Sequence, residues 1–253
     1  MKTIRTVIFA ALVILAACSP AATSQEDFTS YVNVRIGSGG HGHVFVGASV
    51  PFGAVQLGPT SIPQSWDWCS GYHSSDSTVI GFSHTHLSGT GIGDLFDITL
   101  MPVVGAVRYS RGEEPKDSTP EAIAAAQATG MWSYADRTRE VARPGYYSVP
   151  LTRYGISAEM TATTRVGVHE YSFPKGVDGQ VILDLIHGIY NYDGKTLWAE
   201  VQVRNDTLLT GYRITNGWAR TNYTYFAISF SQPISEYGYA DREKINYKGG
   251  WSK

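Results

Sequence analysis

Five of the seven histidines fall between His41 and His86, in three glycine-bearing clusters. The first is Gly37-Ser38-Gly39-Gly40-His41-Gly42-His43, and the second is Trp66-Asp67-Trp68-Cys69-Ser70-Gly71-Tyr72-His73. The third is Gly81-Phe82-Ser83-His84-Thr85-His86-Leu87-Ser88-Gly89-Thr90-Gly91. In a strand, a His-x-His pair turns both rings to one face. His41 with His43 and His84 with His86 can therefore meet around a zinc-like metal, with Asp94 or Asp97 joining them. No His-Glu-x-x-His helix accompanies them, so a zinc hydrolase lacks its usual signature. The glycines from Gly37 to Gly42 are not followed by the Lys-Ser/Thr and helix start of a phosphate loop. Cys69 near His73 or His84 has the makings of a nucleophile and base, or of a small packed side chain. Sugar binding uses more of these residues than any of the other chemistries. Trp66 and Trp68 offer flat apolar faces to a pyranose, and Asp67, Ser70, Tyr72, His73, His84 and His86 supply donors and acceptors for its hydroxyls. The glycines let backbone come close to such a ligand.

The elements that must position these clusters read as strands. Of the 253 residues, 43% are hydrophobic and 12% aromatic, but only 17% are charged, against roughly 25% for an average soluble domain. With 27 Gly, 16 Tyr and 11 Pro, the chain has the material for many turns and aromatic-rich strands. Disorder, coiled coil and a helical bundle are excluded. A formal charge of −2 gives no reason to expect a nucleic-acid partner. Gly155 to Met160 alternates as a half-buried strand does, and Val181 to Ile186 is a continuous apolar run that predicts a strand buried on both faces. Ala199, Val201 and Val203 alternate with polar residues before an Asn205-Asp206 turn, a hairpin pattern. Phe226, Ile228 and Phe230 share one face of a further strand, which Pro233 closes. Together these predict an all-β, antiparallel β-sandwich. One short helical excursion interrupts it near 119–129, where Thr119-Pro120-Glu121 opens an Ala-rich run that Gly130 ends.

The start of the chain reads as an address. Lys2 and Arg5 precede an apolar run from Val7 to Ala17, too short to span a bilayer and suited to a signal peptide over 1–17. Leu15-Ala16-Ala17-Cys18 resembles a bacterial lipobox, which makes Cys18 the lipidation site and residues 18–27 a flexible tether to the cell envelope. A lipid-capped Cys18 leaves Cys69 as the only thiol and excludes an internal disulfide.

Beyond the tether the sequence closely resembles the N-terminal domain of glycoside hydrolase family 92. The resemblance is carried by Tyr31-Val32-Asn33, Ile36 to His43, Val50-Pro51-Phe52-Gly53-Ala54-Val55-Gln56-Leu57, Asp67 to His73 and Gly81 to Gly91, in that order. It continues through Asp94, Asp97, Met101-Pro102, Pro144 to Val149, Tyr154-Gly155-Ile156, Gly211-Tyr212-Arg213 and Gly217-Trp218-Ala219. It implies a sandwich of the galactose-mutarotase-like supersandwich type over 28–253, with a family member expected to continue past Lys253. It also implies an inverting, calcium-dependent exo-α-mannosidase acting on mannose-containing glycans such as N-glycans or mannans. In that family a helical toroid supplies the acid, the base and most Ca2+ ligands, and the sandwich lines the sugar subsites. By that resemblance Trp66, Asp67, Trp68, Cys69, Tyr72, His73, His84 and His86 are the expected substrate-binding residues. No catalytic or metal residue is assigned, and this stretch alone is expected to be inactive. The alternative is a surface lipoprotein that binds glycans without cleaving them.

Overall fold

The computed structural model describes residues 26–189, 195–241, 244–247 and 251–252. The signal segment, Cys18 and most of the tether lie outside the described residues. The chain divides into two units, Met1–Tyr31 and Val32–Lys253. In the first, a 3-10 turn over Phe28–Tyr31 begins where the Asp27 carboxylate accepts from the Thr29 amide at 3.0 Å.

The second unit is built of short strands. In chain order these are β1 (Ala48–Ser49), β2 (Gln56–Thr60), β3 (Thr78–Val79), β4 (Gly81–Ser83) and β5 (Thr99–Val104), followed by helix α1 (Pro120–Thr129). Next come β6 (Ser133–Tyr134), β7 (Val141–Arg143), β8 (Tyr146–Leu151), β9 (Ile156–Ala162), β10 (Gly167–Ser172) and β11 (Gly179–Asp184). The last are β12 (Thr196–Val203), β13 (Leu208–Thr215), β14 (Asn222–Ser229), β15 (Gly238–Asp241), β16 (Lys244–Tyr247) and β17 (Trp251–Ser252). A five-stranded sheet has the order β1-β2-β4-β5-β11, and a four-stranded sheet has the order β10-β9-β8-β7. A second four-stranded sheet runs β14-β13-β12-β17.

The first two sheets form the all-β sandwich expected from the sequence, because each strand turns one row of apolar side chains inward. In β8 and β9 every second residue is buried, so Tyr147, Val149 and Leu151 share a face, as do Ile156, Ala158 and Met160. They pack against Val46, Ala48, Leu57, Phe82, Met101 and Val103 in one core cluster. Each large apolar side chain fully buried there contributes about 1.5–3 kcal/mol. The third sheet rests its inner face on Ile98 and Leu185 through Ala199, Val201, Phe226 and Ile228. The β12–β13 hairpin turns where expected, with the Thr207 amide donating to Asn205 at 2.9 Å.

One expectation fails. The run Val181 to Ile186 is not a strand buried on both faces, since Val181, Ile182 and Leu183 are only half-buried in β11. β11 is the edge of its sheet and pairs with β5 alone. Continuous hydrophobicity reads the same for an edge strand as for a central one. The helix lies within a residue of its expected start, with the Thr119 hydroxyl accepting from the Ala122 amide at 3.3 Å and Pro120 in the first turn.

Candidate carbohydrate site

The second cluster makes a tight 3-10 turn over Trp66–Trp68. The Trp68 amide donates to the Ser65 carbonyl at 3.1 Å, and the Cys69 amide to that of Trp66 at 3.1 Å. This leaves Trp66 outward and 56% exposed, and draws Cys69 and Tyr72 inward. Gly71 makes the reversal possible. Its φ is +88°, and a Cβ there would lie 2.3 Å from the Phe96 ring, so only glycine fits.

The Trp66 indole is fixed from two sides. Its Nε1–H donates to the Gly91 carbonyl at 2.6 Å, and the His43 ring meets it edge-on at 4.1 Å between centroids. Both histidines of the first cluster turn to the neighbouring carboxylate. His41 Nδ1 lies 2.7 Å and His43 Nε2 3.1 Å from Asp67 Oδ1. These contacts, led by His41, hold the Asp67 carboxyl below the usual carboxylate range. His43 reaches this position with a left-handed backbone, φ 55°, a conformation that costs of order 1–3 kcal/mol for a non-glycine residue. The third cluster supplies the other wall. Its loop is closed by a bridge between His86 and Leu95 and tied to His43 where the Gly89 amide donates to the His43 carbonyl at 2.6 Å.

The remaining expected site residues are placed differently. Trp68 is half-buried, with one face stacked on His73 at 4.3 Å and its Nε1–H donating to Asp76 at 2.6 Å. His73 is bonded to Ser75 and to the Gly40 carbonyl. Cys69, Tyr72 and His86 are buried, at 1%, 2% and 4% exposure. Burial raises the Cys69 thiol, which keeps it protonated and unlike an activated nucleophile. The Tyr72 hydroxyl donates to Glu140, a carboxylate that also binds Arg35, Arg137 and Tyr147. Burial alone would raise the Glu140 carboxyl, but Arg137 and its neighbours bring it lower.

His84 and His86 are engaged by groups of the chain itself. His84 Nδ1–H donates to the Ile98 carbonyl at 2.6 Å, and burial keeps the ring neutral. Its Nε2 must then accept, and it receives the Nε2–H of His169 at 3.1 Å. The Nδ1 of His169 in turn accepts from the Tyr171 hydroxyl at 2.8 Å. His86 lies between Phe45 and Phe96 and donates through Nδ1 to the Gln56 carbonyl at 2.7 Å. Its buried Nε2 has no partner, and burial lowers its pKa to about 4. Asp94 and Asp97 also turn inward. Asp94 pairs with Lys195, and Asp97 lies 3.4 Å from Arg213. They do not join the histidine pairs around a metal. Calcium takes six to eight oxygen ligands, whereas among the described residues no three His, Cys, Asp or Glu side chains are grouped to hold a metal ion.

Sequence reasoning grouped His41 and His43 with the clusters but left both out of the site, carried Trp218 only within the run Gly217-Trp218-Ala219, and did not single out His169 or Lys195. The two-residue spacing was the available sign for the first pair. Nothing local marks the others, whose partners lie 85, 101 and 124 residues away.

Known proteins share this fold and sequence pattern. The family model for the glycosyl hydrolase family 92 N-terminal domain matches residues 31–251. A family GH92 α-mannosidase from Bacteroides thetaiotaomicron, solved with mannoimidazole, superimposes with a TM-score of 0.74 at 34% identity over 83% of this chain. An inverting GH92 mannosidase from the same organism shares the fold, with a TM-score of 0.65 at 23% identity over 89% of this chain and 28% of its own. An uncharacterized secreted glycosidase of Arthroderma benhamiae is 30% identical over 155 residues, 61% of this chain. The chain spans 26% of the length of the first mannosidase and 18% of that of the fungal glycosidase.

Proposed function

The chain belongs to glycosyl hydrolase family 92, and from that premise we propose that it is the sugar-lining sandwich of an exo-α-mannosidase. The enzyme removes terminal α-mannosyl residues from mannose-containing glycans such as N-glycans or mannans, with inversion. The observation that carries this reading is the exposed Trp66 indole, held by Gly91 and His43 beside the lowered Asp67 carboxylate. The indole offers a stacking face to the sugar ring, and the free Asp67 oxygen accepts from its hydroxyls. Trp68, His73 and their neighbours shape the floor beneath. Cys69, Tyr72, His84 and His86 act from inside, by fixing the backbone of the loops.

Inverting hydrolysis needs a protonated carboxyl and a second carboxylate roughly 6.5–9.5 Å apart. Asp94, Asp97, Glu140 and Asp184 are all paired with cationic or imidazole side chains, so this reading assigns acid and base to a partner domain of helical-toroid type. Ca2+ belongs there too in this reading, and no step runs through it here. The same reading places the protein in the bacterial cell envelope, lipid-anchored through Cys18. Residues 1–253, produced alone, should release no mannose from aryl α-mannosides or high-mannose glycans. Calcium-dependent release by this stretch would overturn the division of labour. A chain that binds such glycans, and stays inactive in its full natural length, would be the non-catalytic glycan-binding lipoprotein instead.

A further inference from the structure

A second exposed indole is anchored to the same loop as Trp66. The loop between His86 and Leu95 holds Trp66 through the Gly91 carbonyl. At its base, Asp94 accepts the backbone amide of Trp218 at 2.8 Å and that of Leu95 at 2.8 Å, and it pairs with Lys195. Trp218 lies between β13 and β14, and its side chain is 64% exposed. Gly217 lets this happen, since a Cβ there would fall 2.3 Å from Asp94 Oδ1. The segment is braced again where the Asn216 amide donates to the Lys195 carbonyl at 2.8 Å and the Gly217 amide to that of Ala219 at 3.0 Å.

Taking Asp94 and Lys195 out of water is costly, and an ionic pair so buried serves geometry better than it serves stability. Here it holds the backbone from which the exposed Trp218 side chain projects. We propose that Trp218 is a second stacking surface of the same site, so that the ligand is an oligosaccharide with at least two rings engaged. This rests on the carbohydrate reading of Trp66 given above. Trp66 takes one ring, and Trp218, fixed across the loop, takes another.

The test is calorimetric binding by the full-length protein, using methyl α-mannoside and a sulfur-linked α-mannotriose that resists hydrolysis. Trp218→Ala should weaken the trisaccharide about tenfold more than the monosaccharide, and Trp218→Phe should recover most of that loss. Gly217→Ala keeps the indole but moves its anchor, and should reproduce the selective loss. Equal weakening of both ligands by Trp218→Ala, or none, overturns the proposal while Trp66→Ala still weakens both. A wild-type protein that binds neither ligand removes the carbohydrate reading itself, and this proposal with it.

Discussion

Two His-x-His pairs share a spacing and reach opposite ends. His41 and His43 come together on one oxygen of Asp67, the first with its side chain 79% exposed and the second buried. His84 and His86 lie in the interior, one completing a hydrogen-bonded line to His169 and Tyr171, the other between two phenyl rings. Water makes the difference. The first pair meets a carboxylate, while at the second desolvation keeps the rings neutral and the backbone carbonyl at each Nδ1 fixes which nitrogen donates. Spacing thus selects the face a side chain shows, and burial selects its chemistry.

The largest expected effect breaks the interior line. His169→Ala leaves the Tyr171 hydroxyl and His84 Nε2 without their partner in a partly buried place, and should cost about 1–3 kcal/mol in urea unfolding. A loss below about 0.5 kcal/mol would show that the line contributes no stability. The next effect is a pH dependence. Burial puts His169 at about 3 and His86 at about 4 in the folded chain, against roughly 6.5 when unfolded. Below pH 6.5 the unfolded chain binds protons that the folded chain refuses. Stability should therefore be full above that pH and fall as pH drops toward 4, by up to about 1.4 kcal/mol per pH unit for each ring. His86→Phe should flatten the slope by one proton's worth; an unchanged slope would show that His86 does not contribute to it. The smallest effect belongs to the exposed pair. His41→Ala should change unfolding free energy by less than about 0.5 kcal/mol, as usual for an exposed side chain, and a larger loss would erase the contrast.

The fold was largely legible in the sequence because strand alternation and helix capping are local. The core faces of β9 and β14 and the start of α1 follow from residues within a few positions of one another. The edge position of β11 was not legible, since it depends on which strands arrive on each side. The candidate site was legible as an exposed turn at Trp66 and Asp67, whose neighbours in sequence shape that turn. Tyr72 and Cys69 read as ligand-facing types but are carried inward by the reversal at Gly71. His169 and Trp218 enter through pairings across three sheets, which no window of sequence displays.

The backbone between Asp94 and Ile98 has a consequence for the order of events in folding. Leu95, Phe96 and Ile98 take φ of 68°, 61° and 55°, which bulky residues avoid unless their surroundings impose it. Part of what imposes it comes late in the chain: Lys195 and the Trp218 amide on Asp94, and Arg213 on the Phe96 carbonyl. During synthesis the motif-bearing loop emerges long before these clamps exist, and relaxed conformations are open to it until β13 and its following turn have docked. The shape of the loop between His86 and Ile98 thus depends on contacts that the distant third sheet brings.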